Sequence, residues 1–402
     1  MKYNFDELID RRNTGCVKWD ETPTTMLNGS LATIPDASAS GPDILPLWVA
    51  DMDFAVAPAI QEAILRRAQH PVFGYTYVQD DYYDAVISWF QRRHHWTIQR
   101  EWIQYTIGVV PAMSVAIKAL TMPGEKVLIL SPDYNCFFSS VKNNGCEVLE
   151  SVLRFSRSNN RVEVDWSSFE ACCADEKTTV FLLCNPHNPT SRVWTREELQ
   201  RMADICHKHQ VRIVSDEIHC ELVMPGYTFC PMGTVDADAI ILNSPSKSFN
   251  IAGLMMANII CQNTETRRRL DRAININEVC DINPFAPEAV KAAYNESEDW
   301  INALNIYIHD NYRALCDFVA EHFPLWRVMP LEGTYLAWVD VSKVCCDSVA
   351  TYCDHILREA RVWLNPGTMY GPQSGEGYLR INIACPRSLL MEALERIKNI
   401  KK

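Results

Sequence analysis

Four short apolar runs constrain the fold of this 402-residue chain more than any other feature of its sequence. They are Lys126–Leu130, Val180–Cys184, Val211–Val214 and Ala239–Leu242. Each run has the length of a buried strand, and helical patterns at Val109–Leu120 and Glu197–His209 lie between them. Alternation of strands and helices is typical of α/β proteins. The sequence therefore predicts an α/β fold with a mostly parallel sheet from about Gln104 onwards.

Polar residues follow three of these runs. They are Asn188, in an Asn-Pro-His-Asn-Pro-Thr loop; Asp216, in Ser-Asp-Glu-Ile-His; and Lys247, in Ser-Pro-Ser-Lys. Open α/β sheets bind their ligands at the carboxyl ends of the strands. A binding site is therefore expected where these three segments meet.

Lys247 is the residue that most needs a chemical explanation. A lysine that leaves a buried strand loses hydration, which disfavours the ammonium and lowers the pKa. The neutral amine can then form a Schiff base. Taken alone, a Ser-x-Ser-Lys sequence fits a lysine on a solvated turn equally well, so the companions of Lys247 carry the argument.

Composition argues against several classes of protein. A net charge of -12 disfavours nucleic acid and anionic membranes as partners. The longest apolar stretches, such as Leu254–Cys261, are much shorter than the ~20 residues of a membrane span. The sixteen cysteines follow no apolar signal segment, and the pairs Cys172-Cys173 and Cys345-Cys346 lack the spacing of metal sites. We expect a cytoplasmic protein with reduced thiols and no metal site.

The order Asn-Pro-Thr, Asp-Glu-Ile-His, Ser-x-Ser-Lys resembles that of fold type I pyridoxal-phosphate enzymes, the aminotransferase superfamily. The resemblance covers nearly the whole chain. It implies pyridoxal 5′-phosphate (PLP) as the cofactor, held by Lys247, and a small amino acid as the substrate. It also implies the PLP-dependent transferase fold, with a mostly parallel large domain and a smaller α+β domain.

The resemblance further implies a set of cofactor contacts. Asp216 would pair with the ring nitrogen N1 and keep it protonated. Asn188 and His219 would bond the phenolic O3′, and Tyr134 would stack on the ring. The phosphate would be held by the start of a helix, two serines and a tyrosine of a partner subunit: Gly108, Val109, Val110, Ser244, Ser246 and Tyr75.

The substrate contacts implied by the resemblance are Arg380, Ala50 and Tyr134. Arg380 lies between Leu379 and Ile381 in a predicted strand, and its planar fork suits the carboxylate of an amino acid. Lys247 would remove the Cα proton, with PLP as the electron sink. A thiolate on Cβ would then leave, which gives pyruvate, ammonia and a thiol.

Three features resemble the carbon–sulfur lyases of the MalY/PatB type. They are the Trp48–Phe54 segment, His219 in place of a tyrosine, and Met255 in place of a phosphate-binding arginine. Ser191 departs from the glycine usual after Asn-Pro-Thr. These features favour cleavage of cystathionine, cysteine or other cysteine S-conjugates. An aminotransferase of a small amino acid remains open, because the same carbanion can lead to transfer, and so does a PLP-binding regulator without a DNA-binding segment.

The domain prediction has three parts. Residues 1–45 form a polar arm that lies outside the core and packs with the small domain, and residues 46–286 form the large PLP-binding domain. Residues 287–402 form the small C-terminal domain, with strands predicted near Thr334–Val339 and Tyr378–Ile383. The boundary rests on a change of composition at Asn283–Pro287. A homodimer with shared active sites is expected, because the superfamily completes each site with a tyrosine of the partner, here Tyr75.

Overall fold

The computed structural model describes residues 2–21, 23–27, 30–33, 43–156 and 160–400, with the backbone alone for 24–27 and 30–33. Its strands are β1 (Thr24–Leu27), β2 (Ser30–Thr33), β3 (Leu45–Pro46), β4 (Ile103–Thr106), β5 (Lys126–Ser131), β6 (Glu147–Val152), β7 (Arg154–Ser156), β8 (Arg161–Glu163), β9 (Thr178–Cys184), β10 (Arg212–Asp216), β11 (Ile240–Asn243), β12 (Ala257–Cys261), β13 (Arg327–Val328), β14 (Leu336–Asp340), β15 (Val362–Trp363), β16 (Asn365–Pro366) and β17 (Tyr378–Asn382).

Helices cover much of the remaining chain. They are α1 (Val17–Asp20), α2 (Pro58–Gln69), α3 (Asp80–His94), α4 (Val109–Leu120), α5 (Asn135–Asn143), α6 (Trp166–Cys173), α7 (Arg196–Lys208), α8 (Thr264–Ile276), α9 (Ala286–Glu296), α10 (Glu298–His322), α11 (Val349–Ala360) and α12 (Arg387–Lys398). Within the described ranges, no helix has both the length and the apolar character that crossing a bilayer requires.

A seven-stranded sheet forms the centre of the molecule, in the order β4-β12-β11-β10-β9-β5-β6. Strands β11, β10, β9, β5 and β6 run parallel, and β12 is antiparallel to both of its neighbours. Strands β5, β9, β10 and β11 are buried on both faces, which explains their largely apolar sequences, whereas the edge strand β6 is mostly accessible to solvent. The prediction of an α/β fold with a mostly parallel sheet is confirmed.

The turn from β4 into α4 differs slightly from its prediction. A strand is expected at Tyr105–Gly108, but β4 ends at Thr106 and Gly108 is the residue that precedes α4. Helix α4 is buried along its length, and its packing against the sheet fixes the direction of its N-terminus. The unpaired N–H groups of the first turn of α4 are therefore held in a fixed direction.

A second, four-stranded sheet lies near the C-terminus, in the order β13-β14-β17-β16, with every neighbouring pair antiparallel. Arg380 of β17 is paired with Trp338 of β14, so a rigid strand holds the arginine. Helix α9, just beyond the predicted boundary at residue 286, packs against α2 and α3 of the preceding segment. The division into domains stays a prediction.

The N-terminal arm contributes to the core at two points. Phe5 is only 3% exposed and packs edge-on against Phe54 and Trp300. Lys18 is 1% exposed. The expectation of a polar arm outside the core is therefore wrong at Phe5 and Lys18. Residues 28–29 and 34–42 of the arm lie outside the described residues.

Candidate active site

A cavity of about 260 Å³ lies where β9 and β10 end and α4 begins. Most of the predicted site residues line it, together with apolar side chains. The lining residues of interest are Ala50, Gly108, Val109, Val110, Tyr134, Asn188, Asp216, His219, Ser246, Lys247 and Met255. A larger cleft of about 640 Å³ lies elsewhere, beside Arg196 and Tyr227, and contains none of the predicted residues. Because the ionisable groups converge in the smaller cavity, we take that cavity as the site.

Lys247 follows β11 in a tight turn and reaches into the cavity. Its Nζ donates a hydrogen bond to the carbonyl oxygen of Ala50 at 2.6 Å. Burial lowers the pKa of Lys247 below its usual range, and the charge of Arg380 acts in the same direction. The carboxylates of Asp51 and Asp216 oppose this shift. The net effect favours the neutral amine, which is the reactive form.

Asp216 is the last residue of β10 and is buried. One of its oxygens accepts the backbone N–H of Ile218 at 3.1 Å. Burial raises the pKa of Asp216 to about 7, and the charge of Asp133 adds to the effect. A buried carboxyl group with so few partners is suited to a cationic neighbour at the cavity.

His219 and Asn188 stand on either side of the aspartate. Burial, aided by the charges of Lys247 and Arg380, lowers the pKa of His219 to about 3, so its imidazole is neutral. Its Nδ1 is buried and has no hydrogen-bond partner among the described residues. The side-chain oxygen of Asn188 accepts Nη1 of Arg380 at 3.2 Å. Both side chains are thus fixed, with hydrogen-bonding capacity left for a ligand.

Arg380 is 3% exposed and lies directly behind Asn188. Its Nη2 donates to the carbonyl of Trp48 at 2.7 Å, and its guanidinium carbon lies 4.6 Å from the ring centre of Tyr370. Its Nε is buried without a partner among the described residues. An oriented guanidinium with a free donor is suited to an incoming carboxylate.

The structure does not bring every predicted residue to the cavity. Ser244 is buried behind the wall, where its hydroxyl donates to Met256 at 2.6 Å and accepts the N–H of Ser246 at 3.1 Å. It therefore orients Ser246, which does line the cavity. Tyr75 is 99% exposed and lies against Arg67 and Lys291, away from the cavity of its own chain.

The contacts of Ser191 explain how a serine can occupy the position where a glycine is usual. Its φ is 62°, in the left-handed region that glycine occupies most easily. The N–H of Ser191 donates to His187 at 2.8 Å, and its hydroxyl donates to the carbonyl of Leu336. These bonds hold a serine in the conformation that a glycine would adopt without help.

Sequence reasoning missed Tyr335, whose hydroxyl donates to the same Ala50 carbonyl that accepts Lys247, at 2.8 Å. Its ring also lies edge-on to His219, with centroids 6.0 Å apart. The sequence signal is weak, because Tyr335 lies in the predicted Thr334–Val339 strand and resembles an ordinary core residue.

One group of possible metal ligands lies outside the cavity. Atoms of His94, Cys220 and Glu221 all lie within 4.8 Å of one another. Glu221 already accepts Nε1 of Trp89 and pairs with Nε2 of His94, both at 2.7 Å. Arg93 lies 3.5 Å from its other oxygen. These contacts compensate the charge of the buried carboxylate, although its second oxygen accepts no hydrogen bond among the described residues.

Comparison with known proteins defines the class. Residues 42–397 match the family described as aminotransferase class I and II. The chain therefore belongs to the aminotransferase class I and II family.

Three individual proteins are similar to this chain over almost their full length. The chain is 37% identical to cystathionine beta-lyase PatB of Bacillus subtilis, covering 98% of this chain and 99% of PatB. It is 33% identical to protein MalY of Escherichia coli, covering 99% and 98%. Among solved structures, cystalysin from Treponema denticola, which contains a pyridoxal 5′-phosphate cofactor, is 33% identical with a TM-score of 0.92, covering 100% of this chain and 99% of cystalysin.

Proposed function

We propose that this protein is a PLP-dependent carbon–sulfur β-lyase, which cleaves cystathionine or another cysteine S-conjugate to pyruvate, ammonia and a thiol. The observation that carries the proposal is the convergence of Lys247, Asp216 and His219 on one cavity. The full-length similarity to PatB supports the lyase reaction over transfer of an amino group.

The residues present fit PLP. The buried carboxyl group of Asp216 suits a protonated ring nitrogen, and the unpartnered Nδ1 of His219 suits a ring oxygen substituent. The first N–H groups of α4, after Gly108, face the cavity and suit a phosphate. When bound, PLP supplies an aldehyde for the amine and an electron-withdrawing ring.

Lys247 acts as the base of the reaction. Its amine is held against a neutral carbonyl at 2.6 Å, and burial lowers its pKa, which favours the unprotonated form that a base requires. The proton comes from Cα of the substrate. The electron pair left at Cα forms a Cα–Cβ double bond as the β carbon–sulfur bond breaks, and the sulfur departs as a thiolate. Water then hydrolyses the resulting aminoacrylate to pyruvate and ammonia.

Arg380 binds and orients the substrate carboxylate. The contacts with Trp48, Asn188 and Tyr370 fix its guanidinium before a substrate arrives. Orientation of this kind lowers the entropic cost of the reaction. Tyr134 and Ala50 line the space next to it and contact the bound amino acid.

Tyr75 completes the site of a second copy of the chain, in a homodimer. Its side chain is 99% exposed and follows Val72 and Phe73, which are 63% and 54% exposed. Met255 is 52% exposed and lies at the cavity. Apolar surface of this kind in one protomer is typical of a face that a second copy covers.

The protein works in the cytoplasm. All sixteen cysteines are free thiols, and free thiols persist in a reducing compartment.

The reaction is tested with steady-state assays on one preparation. Cystathionine, cysteine and an S-alkyl cysteine are each assayed for pyruvate and thiol, and the same sample is assayed for amino transfer to 2-oxoglutarate. We expect thiol release to dominate, and Lys247→Ala to abolish it. Faster transfer than thiol release would assign the protein to the aminotransferases.

The shared site is tested by mixing two inactive variants, Lys247→Ala and Tyr75→Ala. A mixed dimer contains one site with both native residues, so exchange of subunits restores part of the activity. Subunit exchange is followed independently by native mass spectrometry. Full exchange without recovered activity would contradict a site shared through Tyr75.

A further inference from the structure

Residues Trp48–Phe54, which we call the strap, pass beside the cavity, which Ala50 lines, with most of their carbonyl groups held by side chains. Ala50 receives Lys247 and Tyr335, as described above. The other carbonyl contacts are Trp48 with Arg380 and Asn365, Val49 with Asn382, Asp51 with Asn382 and Lys18, Met52 with Asn250 and Arg11, and Phe54 with Asn250. The strap is therefore a fixed part of the site.

Two cations of the N-terminal arm hold the carboxylates of the strap. Arg11 bonds Asp51 through Nη2 at 2.7 Å and Asp53 through Nη1 at 2.7 Å. Lys18 lies 2.6 Å from Asp53 and 3.7 Å from Asp51. The side chains of Lys18 and Asp53 are 0% and 3% exposed, so solvent screens this pair weakly.

The Asp51 carboxylate is placed to compete with the Ala50 carbonyl as the partner of the Lys247 amine. It directly follows Ala50, whose carbonyl accepts the Lys247 amine. Its carboxylate makes the largest contribution that raises the pKa of Lys247 against the lowering caused by burial. The other charged or titratable groups that act on this amine are Arg380, Asp216, Cys136 and His219. Of these, only Asp51 is bonded by the arm.

We propose that Arg11 and Lys18 are positioning residues of the active site, which turn the Asp51 and Asp53 carboxylates towards the arm and leave the Ala50 carbonyl as the acceptor for Lys247. The arm thereby prevents the Asp51 carboxylate from forming an ion pair with the Lys247 amine. The inference rests on the proposed role of Lys247 as the base.

The first test measures the Lys247 amine itself, in the full-length chain freed of cofactor. Competitive acylation across a pH series, read by mass spectrometry of the Lys247 peptide, gives the pKa of the amine. Arg11→Gln releases Asp51, so the pKa of Lys247 rises by about one unit, as expected for an opposite charge a few ångströms away. This readout requires no turnover, so it stands even if the proposed reaction is wrong.

Arg12→Gln is the matched control. Arg12 is adjacent and 48% exposed at its side chain, and it pairs with Asp10 and Asp43 on the surface, not with the strap. Its replacement leaves the pKa of Lys247 unchanged. Arg11→Lys restores most of the wild-type value, because a cation again faces Asp51. Equal labelling curves for Arg11→Gln and Arg12→Gln would overturn the proposal.

A second variant covers the case in which Arg11→Gln does not fold. Asp51→Asn removes the competing charge but keeps an oxygen for Arg11, so the pKa of Lys247 falls. In the Asp51→Asn background, Arg11→Gln has no further effect on labelling. An unchanged pKa in Asp51→Asn would overturn the proposal, because Asp51 would then exert no influence on the amine.

The holoenzyme gives an independent readout. Arg11→Gln is expected to lower kcat for thiol release by up to about tenfold at neutral pH and much less at alkaline pH, because the Lys247 amine is free to act as the base only after the substrate has bound. A purely structural role would lower activity equally at every pH. A loss independent of pH would therefore also count against the proposal.

Discussion

Two lysines of this protein, Lys18, which is buried, and Lys247, which is partly buried at the cavity, differ in the partner of their amine. Lys18 lies 2.6 Å from the Asp53 carboxylate, with a side chain 0% exposed. Lys247 lies 2.6 Å from a neutral carbonyl, that of Ala50. The first lysine forms a compensated ion pair, and the second is a desolvated amine. Burial without a bonded counter-charge is what gives a lysine a lowered pKa and a chemical function.

The same contrast extends to the carboxyl groups. Burial acts to raise the pKa of Asp53, but Lys18, Trp19 and Arg11 hold it below its usual value. Within the part of the chain that the structure describes, no cation is bonded to Asp216, and burial raises its pKa to about 7. The ion pairs of Lys18 and Arg11 with Asp53 therefore stabilise the fold. The cavity instead contains ionisable groups that a bound ligand would pair.

The largest expected effect is on catalysis at Lys247. Lys247→Ala removes the base and the amine that holds the cofactor, so thiol release falls by about 10⁴-fold or more. Lys18→Met retains Lys247 and loses far less activity. Both rates are measured with a cysteine thioether after reconstitution with PLP. Turnover of Lys247→Ala within tenfold of the wild type would remove the distinction between the two lysines.

The second effect is on stability, and it belongs to Lys18. Lys18→Met removes the closest cation of the buried Asp53 while Arg11 stays bonded to it, so the free energy of unfolding is expected to fall by about 2–3 kcal/mol. Urea unfolding of the cofactor-free protein measures the loss. Lys2→Met is the control, because Lys2 and its partner Asp299 are 69% and 77% exposed. Similar losses of unfolding free energy in both variants would show that the buried ion pair stabilises the fold no more than the exposed one.

The sequence pattern predicted the lysine of the cavity, Lys247, but not the buried lysine of the arm, Lys18. Lys247, Asp216 and Asn188 each follow a short apolar strand, and parallel strands bring such positions to one edge of the sheet. Lys18 has no such signal. It lies in a polar segment, and its partner is 35 residues away in the chain.

Other parts of the site depend on contacts that a pattern does not encode. The β4–α4 turn was predicted within two residues, because the strand and helix periods change at Gly108. Tyr335 directly precedes β14, and Arg380 and Asn382 of β17 bond carbonyls of the strap from a distant part of the chain. Ser244 shows the opposite error, since its neighbour Ser246 lines the cavity and Ser244 does not.

The third prediction uses pH to separate the two regions. The folded-state pKa of Asp216, about 7, lies above its unfolded value of about 3.9. Its contribution to stability is therefore complete below about pH 4 and is lost as the pH rises through 7. Asp53 has a lowered pKa, so its contribution is present above about pH 4 and is lost on acidification.

Urea unfolding of the cofactor-free protein between pH 5 and 8 tests this difference. The wild type is expected to lose on the order of 2 kcal/mol more over this interval than Asp216→Asn. Glu217, whose pKa burial raises to about 8, contributes a slope of the same sign to both proteins, so only the difference between them reports Asp216. Bound PLP, with a protonated ring nitrogen against Asp216, is expected to reduce the slope as well. Identical slopes in the wild type and Asp216→Asn would contradict the assignment.

The smallest expected effect has the opposite sign to that of Lys18→Met. Burial disfavours the Lys247 ammonium, and its bonded partner is a carbonyl that offers no compensating charge. Lys247→Met is therefore expected to raise the free energy of unfolding of the cofactor-free protein by about 1 kcal/mol while it abolishes turnover. Urea unfolding at neutral pH measures the gain, with the cofactor-free wild type as its reference. A loss as large as that of Lys18→Met would mean that both lysines serve the fold in the same way, and the contrast between a paired lysine and an unpaired one would fail.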